Sequence, residues 1–139
     1  MITIIEQHAT GVDVAQIERD VACILDQLGY ADFDIAFMLT DNDTMQEYNF
    51  KFRGKNEPTD ILSFPFYPDL CPGERIQSID EDERNLGDVI ISLDRVYHDA
   101  RELGQSFELR MRILLVHGVC HLLGYDHHTD EEYAEMYDI

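Results

Sequence analysis

The stretch from His117 to His128, HGVCHLLGYDHH, holds four of the chain's six histidines. His117 and His121 are four apart, which on a helix places both rings on one face, a turn from each other. Gly124 permits a left-handed residue that ends the helix and turns the chain, and His127 follows that turn. This spacing predicts three imidazoles, His117, His121 and His127, closing on one ion. Three nitrogen donors with no fourth side chain leave a position for water, as catalytic zinc sites do. Imidazole also suits nickel and copper; one zinc ion per chain is the expected cofactor. Cys120 lies near the His117 face and reads either as a core thiol or as a fourth ligand. Asp126 reads as a partner orienting an imidazole or as a plain turn residue. His128 is expected at the surface, and His8 and His98 have no partner in the pattern.

Metzincin proteases share this histidine layout but place a glutamate general base after the first histidine. Here that position is Gly118, which weighs against peptide hydrolysis. A second group of residues points elsewhere. Lys51 and Lys55, the two lysines of the chain, flank Arg53 within YNFKFRGKNEPTDILSFPF. Cations beside an open metal site suit a phosphodiester, whose non-bridging oxygens they neutralise while the metal acidifies water. The same cluster is also what a helix end balancing its own dipole looks like.

These side chains need elements to hold them. Ile2 to Glu6 reads as a strand. Val14, Ile17, Val21, Ile24 and Leu28 mark one face of a helix, capped by Asp13 and stopped by Gly29. Phe33, Ile35, Phe37 and Leu39 alternate with less apolar residues, the period of a strand. A helix from Asp41 to about Phe52 is expected to bury Met45, Tyr48 and Phe52 and to stop at Gly54. Ile61 to Phe66 is a strand that Pro65 confines to a sheet edge or a bulge. Residues 67–85, with two prolines and an acidic cluster, read as a mobile loop. Leu86 to Leu93 is a strand, and Asp94 to Leu103 a helix with Val96, Tyr97, Ala100 and Leu103 inward. A longer helix runs from Ser106 towards Leu123. It carries no charge from Ile113 onward and is apolar nearly all round, so it should be central and buried.

The 139 residues amount to one domain, residues 1–139. With 45% hydrophobic and 28% charged residues the chain is not disordered, and no apolar run is long enough for a bilayer. No signal peptide is recognisable, and three cysteines without motif spacing fit a reducing compartment, so a soluble, cytoplasmic protein is expected. Ten basic against 29 acidic residues, a net charge of −19, exclude a general nucleic-acid coat and favour basic partners. A local basic patch survives this, because charges beyond about 8 Å are largely screened at physiological salt.

HGVCHLLGYDHH, preceded in order by YNFKFRGKNEPTDILSFPF and LGDVIIS, resembles the YbeY family of endoribonucleases and rRNA maturation factors, from about Met38 to Met136. The chain departs from that family mildly, at Cys120 and in its acid-rich 67–85 loop. The resemblance implies His117, His121 and His127 as zinc ligands and Arg53 as the functional arginine of an RNA groove. With the helix from Ser106 holding two ligands at the floor of a cleft, Arg53, Lys51 and Lys55 are expected to line one wall and capture phosphate. The resemblance also implies cleavage of single-stranded RNA, 3′-end processing of the 16S rRNA precursor, and association with the small ribosomal subunit and its basic proteins, with no membrane. The fold expected is α+β: a mixed sheet of about four strands packed with helices, zincin-like, with the metal site on the central helix and the turn after it. Two other readings remain, a metal-dependent hydrolase of peptide or amide bonds and a non-catalytic, zinc-stabilised ribosome assembly factor.

Overall fold

Four helices begin in the same way. Asp13, Asp41, Ser92 and Ser106 each hold extended backbone and accept a hydrogen bond from the backbone N–H three residues on. In the computed structural model, which describes residues 1–7, 11–77 and 80–125, these caps open α1 (Val14–Leu28), α2 (Asn42–Arg53), α3 (Leu93–Leu103) and α4 (Phe107–Leu122). The strands are β1 (Ile2–Glu6), β2 (Asp34–Thr40), β3 (Ile61–Pro65) and β4 (Asn85–Ser92). Gly29 and Gly54 stop α1 and α2 at the expected places.

The strands form one sheet in the order β1-β2-β4-β3. β1, β2 and β4 run parallel, and β3 is antiparallel to β4 at the edge. Pro65 ends that edge strand, where its missing N–H breaks no ladder. The result is the expected α+β architecture around a mixed four-stranded sheet.

Alternation along the strands makes two unequal cores. Ile35, Phe37 and Leu39 of β2 and Val89 and Ile91 of β4 turn to the face covered by α1, α3 and α4. Leu62 and Ile90 turn to the other, where they meet Met45 of α2 with Met38, Tyr48 and Phe64 half-buried around them. Among the described residues the second face carries α2 alone, which explains one departure from expectation. Phe52, in the last turn of α2, is 53% exposed rather than buried, because no second helix of the described residues packs on this face. In α3, Tyr97 and Leu103 also stay exposed. Tyr97 stacks on Phe107 at the surface, with ring centroids 4.3 Å apart, and Leu103 ends its helix.

The segment read as a mobile loop is tied down along its described part. Arg75 donates to the carbonyls of Leu28 (2.8 Å) and Gly29 (2.9 Å), the open end of α1, and its guanidinium covers the Tyr30 ring. The Tyr67 hydroxyl donates to the Glu83 carbonyl, just at the one-turn helix of Glu81–Glu83. Among the described residues no helix is long and apolar enough to cross a membrane.

Candidate active site

α4 is apolar on most of its circumference, with Met111, Leu114, Leu115, Val119, Cys120 and Leu122 buried. His117 and His121 interrupt it, half-buried on a shared face. The helix lies close on β3 and β4, and Gly118 is why it can. A Cβ there would stand 3.1 Å from Cγ1 of Val89 and 3.3 Å from Cδ1 of Ile61. The glycine is therefore a packing requirement of the helix that holds the histidines. A side chain at this position would crowd Val89 and Ile61, which weighs against the glutamate of the metzincin arrangement.

After His121 the helix closes in a Schellman motif. Tyr125 N–H donates to the Cys120 carbonyl (3.0 Å), and Gly124 N–H to the His121 carbonyl (3.1 Å). Gly124 has φ 92°, and any Cβ on it would collide with the carbonyl oxygen of Leu70. The turn predicted from the glycine is thus present and is backed by the 67–77 segment. His127, with Asp126 and His128, lies outside the described residues, as does His8. His117 and His121 supply two imidazole donors one helical turn apart, a chemistry and spacing that fit a borderline-soft metal ion. Among the described residues alone no group of three potential ligands forms.

Cys120 is fully buried in the main core. Burial pushes its thiol from 9.0 up to about 12, against a smaller opposing effect of a backbone hydrogen bond, which makes it a neutral core side chain. His98 is exposed and sits beside Asp99.

The basic residues end α2. Lys51 and Arg53 occupy its last turn and Lys55 follows Gly54; all three are exposed. Two amides the sequence reading passed over hold this segment in place. Asn49, 1% exposed, donates through Nδ2 to the Glu57 carbonyl at 2.8 Å. Gln46 Nε2 reaches Oδ1 of Asn56 at 3.0 Å. The signal for Asn49 was present: it stands four residues after the core residue Met45, at an inward position where an amide needs a partner. Ion pairs among the described residues engage the N-terminus, Arg84, Arg95, His98 and Arg112, and none of Lys51, Arg53 or Lys55.

The structure brings His117 and His121 together, and separately brings Lys51, Arg53 and Lys55 together. The helices that carry the two groups pack on opposite faces of the sheet. β3 is common to both: α4 rests on it from one side, and its Phe64 meets Phe52 of α2 from the other. The hydroxyl of Ser63 in β3 is buried and without a hydrogen-bond partner among the described residues, a further polar group the sequence reading missed.

Fold and site together define an α+β protein with helix-borne imidazoles over a mixed sheet and a separate basic turn that no ion pair among the described residues engages. Residues 3–139 match the family described as endoribonuclease YbeY, and the chain belongs to that family. It is 38% identical over 115 residues to the endoribonuclease YbeY of Alkaliphilus oremlandii, covering 83% of this chain and 72% of that protein. To the endoribonuclease YbeY of a Sulfurihydrogenibium species it is 44% identical over 117 residues, 84% of this chain and 71% of the relative. In fold it is similar to the solution structure of TM1509 from Thermotoga maritima, with a TM-score of 0.66 and 24% identity over 99% of this chain and 85% of that one.

Proposed function

We propose that this chain acts as a single-domain, zinc-dependent endoribonuclease that cuts single-stranded RNA in the cytoplasm. Its substrate is the 16S rRNA precursor, matured at the 3′ end on the small ribosomal subunit, whose basic proteins suit a surface this acidic. The observation that carries the reading is the half-buried pair His117 and His121, one turn apart on a helix otherwise made of core residues. Two imidazoles one turn apart are a donor pair that a borderline-soft metal ion takes. Membership of a family named for RNA cleavage supports the reading.

His117, His121 and His127 would hold the ion, the third from the segment that the Gly124 turn directs. Zinc in this donor set supplies positive charge and Lewis acidity to the phosphodiester and to water. Arg53 holds a phosphate oxygen through its guanidinium, with Lys51 and Lys55 adding charge along the strand. Zincin-like architecture, with the metal on a central helix and its following turn, belongs to the same proposal.

The test uses labelled single-stranded RNA and casein, each incubated with wild-type protein, Arg53→Ala and His121→Ala. RNA cleavage by wild type alone, with casein intact, is the expected result. RNA cleavage that persists in both variants would betray a contaminating nuclease and remove the proposal. Casein cleavage would move it to peptide bonds, against the packing at Gly118.

A further inference from the structure

We infer that the groove beside α2, on the sheet face opposite the histidine pair, is a stacking site for the bases of single-stranded RNA. The inference rests on the endoribonuclease reading and extends it to a second face of the molecule.

Among the described residues one helix, α2, covers this face of the four strands, and it leaves a groove. α2 rests on Leu62 of β3 and Ile90 of β4 through Met45. Beside it stays a cleft of about 440 Å³, lined among others by Ile5, Met38, Tyr48, Phe52, Phe64 and Asp88. Its rings are ordered. Tyr48 and Phe52 are parallel within 7°, with centroids 6.1 Å apart, and Phe64 meets Phe52 edge-on at 5.0 Å. Phe52 thereby stays largely exposed while held by the two rings beside it.

One cation reaches these rings. The Lys51 ammonium lies 5.3 Å from the centre of the Phe52 ring. Arg53 and Lys55 follow within the next four residues, and no ion pair among the described residues engages any of the three. An apolar floor without cations would suit a protein segment, and a basic patch without rings would suit any polyanion. Rings and cations side by side are what a single strand needs, with its bases on the aromatic faces and its phosphates on the charges. A duplex cannot use the rings, because its bases already stack on one another. Asp88, exposed within the groove, keeps phosphates at the rim and can accept from base N–H groups.

The test measures binding of a fluorescein-labelled single-stranded 2′-O-methyl oligoribonucleotide, checked to be intact, to wild type, Phe52→Leu and Phe52→Tyr. An abasic oligomer of the same length serves as the second probe, and cleavage of unmodified RNA by wild type is scored in parallel. Phe52→Leu should weaken binding about tenfold, the scale of one lost base stack. Its melting temperature should be unchanged, and Phe52→Tyr should bind as wild type does. The abasic oligomer should not distinguish wild type from Phe52→Leu. Unchanged binding by Phe52→Leu, with wild type still cutting RNA, overturns the stacking site and leaves the endoribonuclease reading intact. Failure of wild type to cut RNA sinks that reading, while a tenfold loss in Phe52→Leu would still support the stacking site. If Phe52→Leu keeps RNA affinity but no longer binds a basic protein of the small ribosomal subunit, the groove is a protein-docking face and the inference is wrong.

Discussion

At position 118 two physical demands conflict. Helix propensity favours almost any residue over glycine by up to about 1 kcal/mol. Contact with the sheet favours glycine, because a Cβ would stand 3.1 Å from Val89 and 3.3 Å from Ile61, tighter than ordinary van der Waals contact. Val89 is β-branched and only 1% exposed, so it cannot turn aside without disturbing the core. Gly118→Val should therefore lower the unfolding free energy by about 1–3 kcal/mol in urea titration, the usual cost of overpacking. A variant as stable as wild type would mean that α4 can lift from the sheet. Such lifting would displace His117 and His121 with it.

The basic segment is an element held by its neighbours rather than by its own regular structure. Past Gly54 the chain has no ladder, and its order comes from Asn49 and Gln46 reaching out of α2 to Glu57 and Asn56. Asn49→Ala removes one buried hydrogen bond and should cost about 1–2 kcal/mol. It should also weaken RNA affinity, since Lys55 is placed by the turn that Asn49 pins. Parallel measurement of chemical unfolding and oligonucleotide binding checks both. Loss of stability with RNA affinity unchanged would show that Lys55 needs no positioning. At the opposite edge of the same helix, the Asp41 cap and the Met45 anchor are untouched by this change.

Across the whole molecule the net charge of −19 sets how RNA can be met. Long-range attraction is absent, so binding depends on a few local cations and on contacts that salt does not screen. With three cations near the strand, the logarithm of affinity should fall with the logarithm of salt at a slope of about −2. A slope near zero would leave stacking as the sole source of affinity. Metal loading also acts on the whole fold. Elemental analysis should find about one zinc per chain, and chelation should lower the melting temperature. A ligand at a hundredfold its dissociation constant stabilises the native state by about 2.7 kcal/mol. His117→Ala should melt alike with and without chelator. Wild type indifferent to chelator would argue against a site built on α4.

What the sequence determined by itself was local. Hydrophobic patterns located four strands and four helices, Asp13 marked the start of α1, and Pro65 confined β3 to an edge or a bulge. The i, i+4 histidines and the lysine–arginine cluster were also legible, because each is a relation between near neighbours along the chain. Only the tertiary structure decided which surfaces those neighbours meet. It put the histidine and basic groups on helices at opposite faces of the sheet, exposed Phe52 on a face that one helix covers, and explained Gly118 by two side chains from distant strands. It also tied the 67–77 segment to α1 through Arg75. Spacing along a helix follows from a fixed rise per residue, whereas contact between elements depends on how strands are ordered in the sheet, and no short stretch of sequence encodes that order.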